Sequence, residues 1–176
     1  MRFGEVSVTT RNAFSSTKHL TCKDAHFGVD LDGKPYARLD LPSAKTAKPG
    51  EIQSVFLVPQ NELCPIDALQ NLARVVPADP NDPLFFWRDR HGDIRPMVKT
   101  KAITHINAIL KARGWGTAFS HSFRIGGASF YLSQKVSPKI IRITGCWRSL
   151  TYEAYICAFE QVALRHLGGL LAQIDI

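Results

Sequence analysis

Runs of apolar and β-forming residues come first along this chain and apolar residues at helical spacing follow, and this succession predicts the order of its elements. The segments His26–Asp30, Tyr36–Leu41 and Ile52–Val58 are rich in apolar and β-forming residues. Asp32-Gly33 lies between the first two, and such a pair favours the tight turn of a hairpin. A longer turn, Pro42 to Glu51, joins the second segment to the third, so the expectation is a small three-stranded antiparallel sheet. Beyond it the helical spacing begins. Cys64 to Val75 carries a proline in its first turn and Ile66, Leu69, Leu72 and Val75 at helical spacing, which predicts an amphipathic helix. The turn-rich ADPNDP, a short apolar run at Leu84–Trp87 and a polar loop from Arg88 to Arg95 follow. Lys99 to Arg113 has Ile103, Ile106, Ile109 and Leu110 in helical register and stops at Gly114.

A further helix is expected from His121, capped by Ser120 or Ser122, with Ile125, Ala128, Tyr131 and Leu132 supplying packing. Gly126-Gly127 within it reads as a site of close helix packing, since no strand precedes it to make a dinucleotide loop. Ser137-Pro138 opens another helix through Ile143 or Thr144, ended by Gly145, and Tyr152 and Tyr155 lie on the next. The last segment, Gln161 to Ile174, presents Val162, Leu167, Leu170, Leu171 and Ile174 around Gly168-Gly169. The expected class is α+β, mostly helical, with one small three-stranded sheet.

At 176 residues with 45% apolar composition, the chain is one domain able to bury a core. Lysine and arginine number 22 against 15 acidic residues, a formal charge of +7 that favours a polyanionic partner. Cys22, Cys64, Cys146 and Cys157 are scattered, without the close spacing of a zinc site, and read as reduced thiols. His91 and Asp93 in the DRHGD loop fall short of a ligand set for the same reason. With no apolar stretch of membrane-spanning length and no targeting run, the expected setting is soluble and intracellular.

The chemistry concentrates between His121 and Tyr155, in HSFRIGGASFYLSQKVSPKIIRITGCWRSLTYEAY. His121 and Arg124, three apart, share one face of a helix. Trp147 and, eight residues on, Tyr155 complete an imidazole, a guanidinium, an indole and a phenol. No carboxylate pair holds a metal here, and no Ser or Cys nucleophile is evident. Such groups can hold a phosphodiester while a phenolic oxygen attacks it. Arginine grips phosphate oxygens through its planar fork, imidazole and indole N–H groups donate where charge builds up, and tyrosine is a covalent nucleophile when a positive pocket favours its phenolate.

The order His-x-x-Arg, Gly-x-Trp, then Tyr resembles the C-terminal half of tyrosine recombinases, the phage-integrase type. HSFRIGGASFYL followed by GCWRSLTYEAYI is most similar to the recombinases of eukaryotic mobile elements, the Crypton and DIRS/Ngaro groups. The resemblance implies that residues 1–176 are a recombinase catalytic domain cut at its first essential residue, without the DNA-clamping (core-binding) domain that precedes it in the family. It implies Arg2, within Arg2-Phe3-Gly4-Glu5, as the first catalytic arginine, and Lys45, in the turn after the second strand, as general acid. Lys48 is the nearby competitor. Tyr155 would attack a scissile phosphate to give a 3′-phosphotyrosyl link and a free 5′-hydroxyl, with Arg2, Arg124, His121 and Trp147 on the phosphate. Neither metal nor other cofactor is implied, and no small-molecule substrate. The implied partner is double-stranded DNA, bound as a dimer or tetramer, in the nucleus if the source is eukaryotic.

Each residue also has an ordinary reading. Arg2 is a basic residue at a chain terminus, Lys45 a solvated turn lysine, Trp147 a packing residue and His121 a structural histidine. Tyr131 reads as core, and periodicity alone does not choose between Tyr152 and Tyr155; the family spacing from Trp147 selects Tyr155. A truncated or domesticated module that binds DNA without turnover is the alternative function. A metal-dependent nuclease is disfavoured by the scarcity of clustered carboxylates.

Overall fold

The computed structural model describes residues 1–44, 47, 50–61, 63–145 and 147. Over these the chain is α+β. Strands β1 (Ala25–Val29), β2 (Pro35–Leu41) and β3 (Gln53–Leu57) form an antiparallel sheet in that order, with Phe27 opposite Ala37 and Ala37 opposite Leu57. The sheet forms where the runs of apolar and β-forming residues predict it, within one residue at each end. The hairpin turns at Gly33, whose φ of +76° is the left-handed conformation that glycine adopts at little cost. Asp30 fixes the same turn, its Oδ1 accepting from the backbone N–H groups of Asp32 and Lys34.

Alternation on β2 separates two faces. Ala37, Leu39 and Leu41 point inward and are almost completely buried, where they meet Leu20, Ile66, Leu69 and Leu84. Each such leucine removed from water contributes about 1.5–3 kcal/mol. Ile66 and Leu69 come from helix α1 (Pro65–Val75), which begins at a proline in its first turn as expected. On the outward face Asp40 accepts from Ser54 Oγ at 2.6 Å and Arg38 Nη2 at 3.0 Å, with His26 Nε2 at 3.2 Å.

The polar loop Arg88–Arg95 proves to be a second, two-stranded sheet, β4 (Phe86–Arg88) paired with β5 (Ile94–Pro96). Its turn is organised by Asp89. That carboxylate accepts from the backbone N–H groups of His91 and Asp93, and Arg95 and Arg11 reach it at 2.7 and 3.5 Å. The N-terminal segment bridges to the chain just after β5: Val8 N–H donates to the Met97 carbonyl and Lys99 N–H to that of Val8.

Helices α2 (Lys99–Ala112), α3 (Ser122–Ser133) and α4 (Pro138–Thr144) complete the described elements. Ala128, Leu132 and Ile141 form a second, smaller core between α3 and α4, with Val136 and Trp147 against it. Two expectations change here. Neither Ser120 nor Ser122 caps α3: His121 occupies the N-cap position, and Ser122 Oγ instead accepts from the Phe119 N–H. Tyr131 is half exposed rather than core, edge-on to Phe130 with ring centroids 5.5 Å apart. Among the described residues, a Cβ at Gly126 or Gly127 would meet nothing within 4 Å. The apolar stripe of α2 contributes no buried residue, and Ile109 is half exposed. Among the described residues no helix is long and apolar enough to cross a membrane.

Candidate functional site

Arg124 lies in the first turn of α3, and Trp147 follows the end of α4. The chain turns back sharply after α4: Gly145 N–H donates to the Ile141 carbonyl and Trp147 N–H to that of Arg142. This return carries the indole beneath Arg124, whose guanidinium carbon stands 4.1 Å from the ring centroid. Arg124 Nη2 also donates to the Gly145 carbonyl oxygen, across 21 residues of sequence. A stacked, tethered guanidinium keeps a fixed plane, and stacking on an indole adds about 0.5–2 kcal/mol of cation–π attraction.

Gly145 explains the Gly-x-Trp spacing. Its φ of −77° is open to any residue, so conformation does not demand glycine there. Space does: a Cβ would lie 1.5 Å from a carbon of the Trp147 ring. Sequence reasoning singled out the motif but not this reason, which appears only once the ring is seen folded back over the glycine.

Met1, Phe123, Arg124, Tyr131, Ile140 and Trp147 line an open groove of about 430 Å³ beside this contact. Arg2 is adjacent by its neighbours, since Met1 lines the groove and the Phe3 ring lies 6.1 Å from that of Phe123. Arg2 itself precedes a single 3-10 turn, Phe3–Glu5, rather than sitting in a longer helix. Its Nη1 pairs with Glu5 Oε1 at 3.1 Å, and its backbone N–H donates to the same carboxylate. The Glu5 carboxylate is well covered, so Arg2 is held by a shielded partner. Gly4 and Glu5 share an open cleft of about 200 Å³ with Leu41, Pro42 and Ser43. His121 stands exposed one turn before Arg124. Lys45 and Tyr155 lie outside the described residues, as does Tyr152.

Charge gives the site its setting. From Ile94 through Tyr152 the chain carries ten lysines and arginines and no aspartate or glutamate; the other residues carry twelve against fifteen. The whole formal excess, and more, therefore falls on the stretch that holds α2, α3, α4 and Trp147. A count in windows reveals this, whereas the net charge of the chain averages it away.

No protein-family model matches the chain, and no curated protein matches it.

Proposed function

We propose that this chain is a DNA strand-breaking and rejoining domain of the tyrosine recombinase kind. The observation that carries the reading is the Arg124–Gly145–Trp147 contact. It joins in space two motifs that the sequence pairs only by order, and it fixes an arginine plane of the sort that phosphate recognition uses. The acid-free stretch around it supports a polyanionic substrate.

In this reading Tyr155 attacks the scissile phosphorus, the 5′ oxygen leaves, and Lys45 gives that oxygen its proton. Arg2, His121, Arg124 and Trp147 stabilise the charge on the non-bridging oxygens. Removing one such donor typically costs about a hundred- to a thousandfold in rate. A strand's 5′-hydroxyl then attacks the phosphotyrosine and releases the enzyme, with no net hydrolysis.

The test is adduct formation on a nicked duplex followed by peptide mapping. The adduct is expected on Tyr155, abolished in Tyr155→Phe, retained in Tyr152→Phe and unchanged by EDTA. An adduct on Tyr152 or a serine overturns the assignment of the nucleophile. A second reading is a module of the same fold that binds DNA without cleaving it. It is favoured by Arg2 and Arg124 each giving a donor to the protein itself, to Glu5 and to the Gly145 carbonyl. DNA binding with no adduct selects it.

A further inference from the structure

The loop between α2 and α3 displays two aromatic rings to solvent, Trp115 at 70% exposure and Phe119 at 72%. Exposed large rings cost free energy unless something covers them, and this loop is not loose. Asn107 of α2 clamps it, its Nδ2 donating to the Ala118 carbonyl at 2.9 Å while its Oδ1 accepts the Ala118 N–H at 2.7 Å. The Trp115 N–H is fixed to the Leu110 carbonyl at 2.9 Å. Gly114 and Gly116 flank Trp115 with φ of +71° and +78°, a local path that other residues take only with strain. Lys111 and Arg113 are exposed just before the rings, and the loop lies inside the stretch that has no carboxylate.

We propose that this loop binds single-stranded nucleic acid, with Trp115 and Phe119 stacking on unpaired bases and Lys111 and Arg113 meeting the flanking phosphates. The proposal rests on the reading of the chain as a nucleic-acid-binding protein, and it adds a subsite on the loop that precedes α3. Charge complementarity selects the occupant, because a cationic loop without carboxylates repels a basic partner and attracts a polyanion. The rings select the unpaired form, because paired bases hide their faces, whereas every unstacked base offers one to an aromatic side chain. The Asn107 clamp supplies preorganisation, so little loop entropy is lost on binding.

The experiment titrates the full chain into a fluorescein-labelled oligo(dT), an abasic oligonucleotide of equal length and a duplex of equal length, reading anisotropy at several salt concentrations. Wild type is expected to bind oligo(dT) about ten- to a hundredfold more tightly than the abasic strand. Trp115→Ala with Phe119→Ala should erase that difference without changing the salt slope or duplex affinity. Lys111→Ala with Arg113→Ala should instead lower the salt slope by about 2 and keep the preference for bases. Because both rings are exposed the double variant should fold, which circular dichroism checks. Equal binding of oligo(dT) and the abasic strand by wild type overturns the stacking role. An equal loss on duplex in the aromatic variant overturns the single-strand assignment. The adduct assay on Tyr155 reads the catalytic proposal separately, so either can fail alone.

Discussion

Between residues 1 and 93 the chain carries eleven lysines and arginines against twelve carboxylates, and between 94 and 152 ten against none. Carboxylates of the first region take up nearby cations, one of which, Arg95, comes from the second region. Asp40 gathers Ser54, Arg38 and His26 on the outer face of the sheet, Asp89 gathers Arg95, Arg11 and two backbone donors, and Glu5 holds Arg2. It also owns the larger core, around Leu39 and Leu41. Among the described residues, the second region has a core of three buried apolar residues, a helix α2 that buries none, and aromatic rings at 70% exposure or more. The second region carries cations with no carboxylate in its own stretch of sequence.

Charge reversal tests this contrast most severely. Lys99, Lys101 and Lys111 to Glu, and Lys18, Lys23 and Lys34 to Glu, change the net charge equally but in different regions. The first triple should lower duplex DNA affinity by about a hundredfold or more at moderate salt and reduce the salt slope by about 3; the second should shift it only a few-fold. Mobility shift at several salt concentrations reads both. Equal losses would mean that only the overall charge matters, and the contrast would fall.

A smaller effect is expected at the joint between motifs. Gly145→Ala forces the Trp147 ring to move, because the new methyl group would occupy its place. Overpacking of this kind costs about 1–3 kcal/mol, seen as a lower melting temperature together with a shifted tryptophan emission as the indole leaves Arg124. An unchanged melt and spectrum would show that the ring does not lie over the glycine.

How far these regions were legible in the sequence follows from what each depends on. The three-stranded sheet was readable because runs of β-forming residues and an Asp-Gly turn are local signals. The β4–β5 hairpin was not, since its strands span three residues each and its turn is organised by the Asp89 side chain. The chemistry of Arg124 and Trp147 could be inferred from residue type and order, but their contact depends on a chain reversal that no periodicity encodes. Tyr131 misled because helical spacing assigns it to the packed stripe, whereas the stripe's edge opens into the groove. Trp115 and Phe119 were passed over because a turn-rich segment reads as mere connection until the Asn107 clamp is seen.

The smallest predicted effect is a dependence on acid that belongs to the first region. Burial pushes the Asp40 carboxyl up, but the Ser54 hydroxyl, the Arg38 guanidinium and the His26 ring outweigh it and hold the carboxyl below its ordinary value. For Asp89 burial likewise raises, and the donors from Arg95, His91 and Asp93 prevail. A carboxylate depressed in the folded state takes up its proton less readily there than in the unfolded chain. Its stabilising contribution is therefore complete above the unfolded value, near 4, and disappears as the pH falls through the folded one. Asp40→Asn should accordingly destabilise the protein by about 0.2–1 kcal/mol at pH 7, the scale of an exposed or partly exposed pair. Its melting temperature should converge on that of wild type as the pH drops below about 4. Because residues 94–152 contain no carboxylate, amides of β2 should lose hydrogen-exchange protection in acid before those of α3, after correction for intrinsic rates. Loss of protection in α3 first would place the acid-sensitive contacts in the wrong region and undo the division.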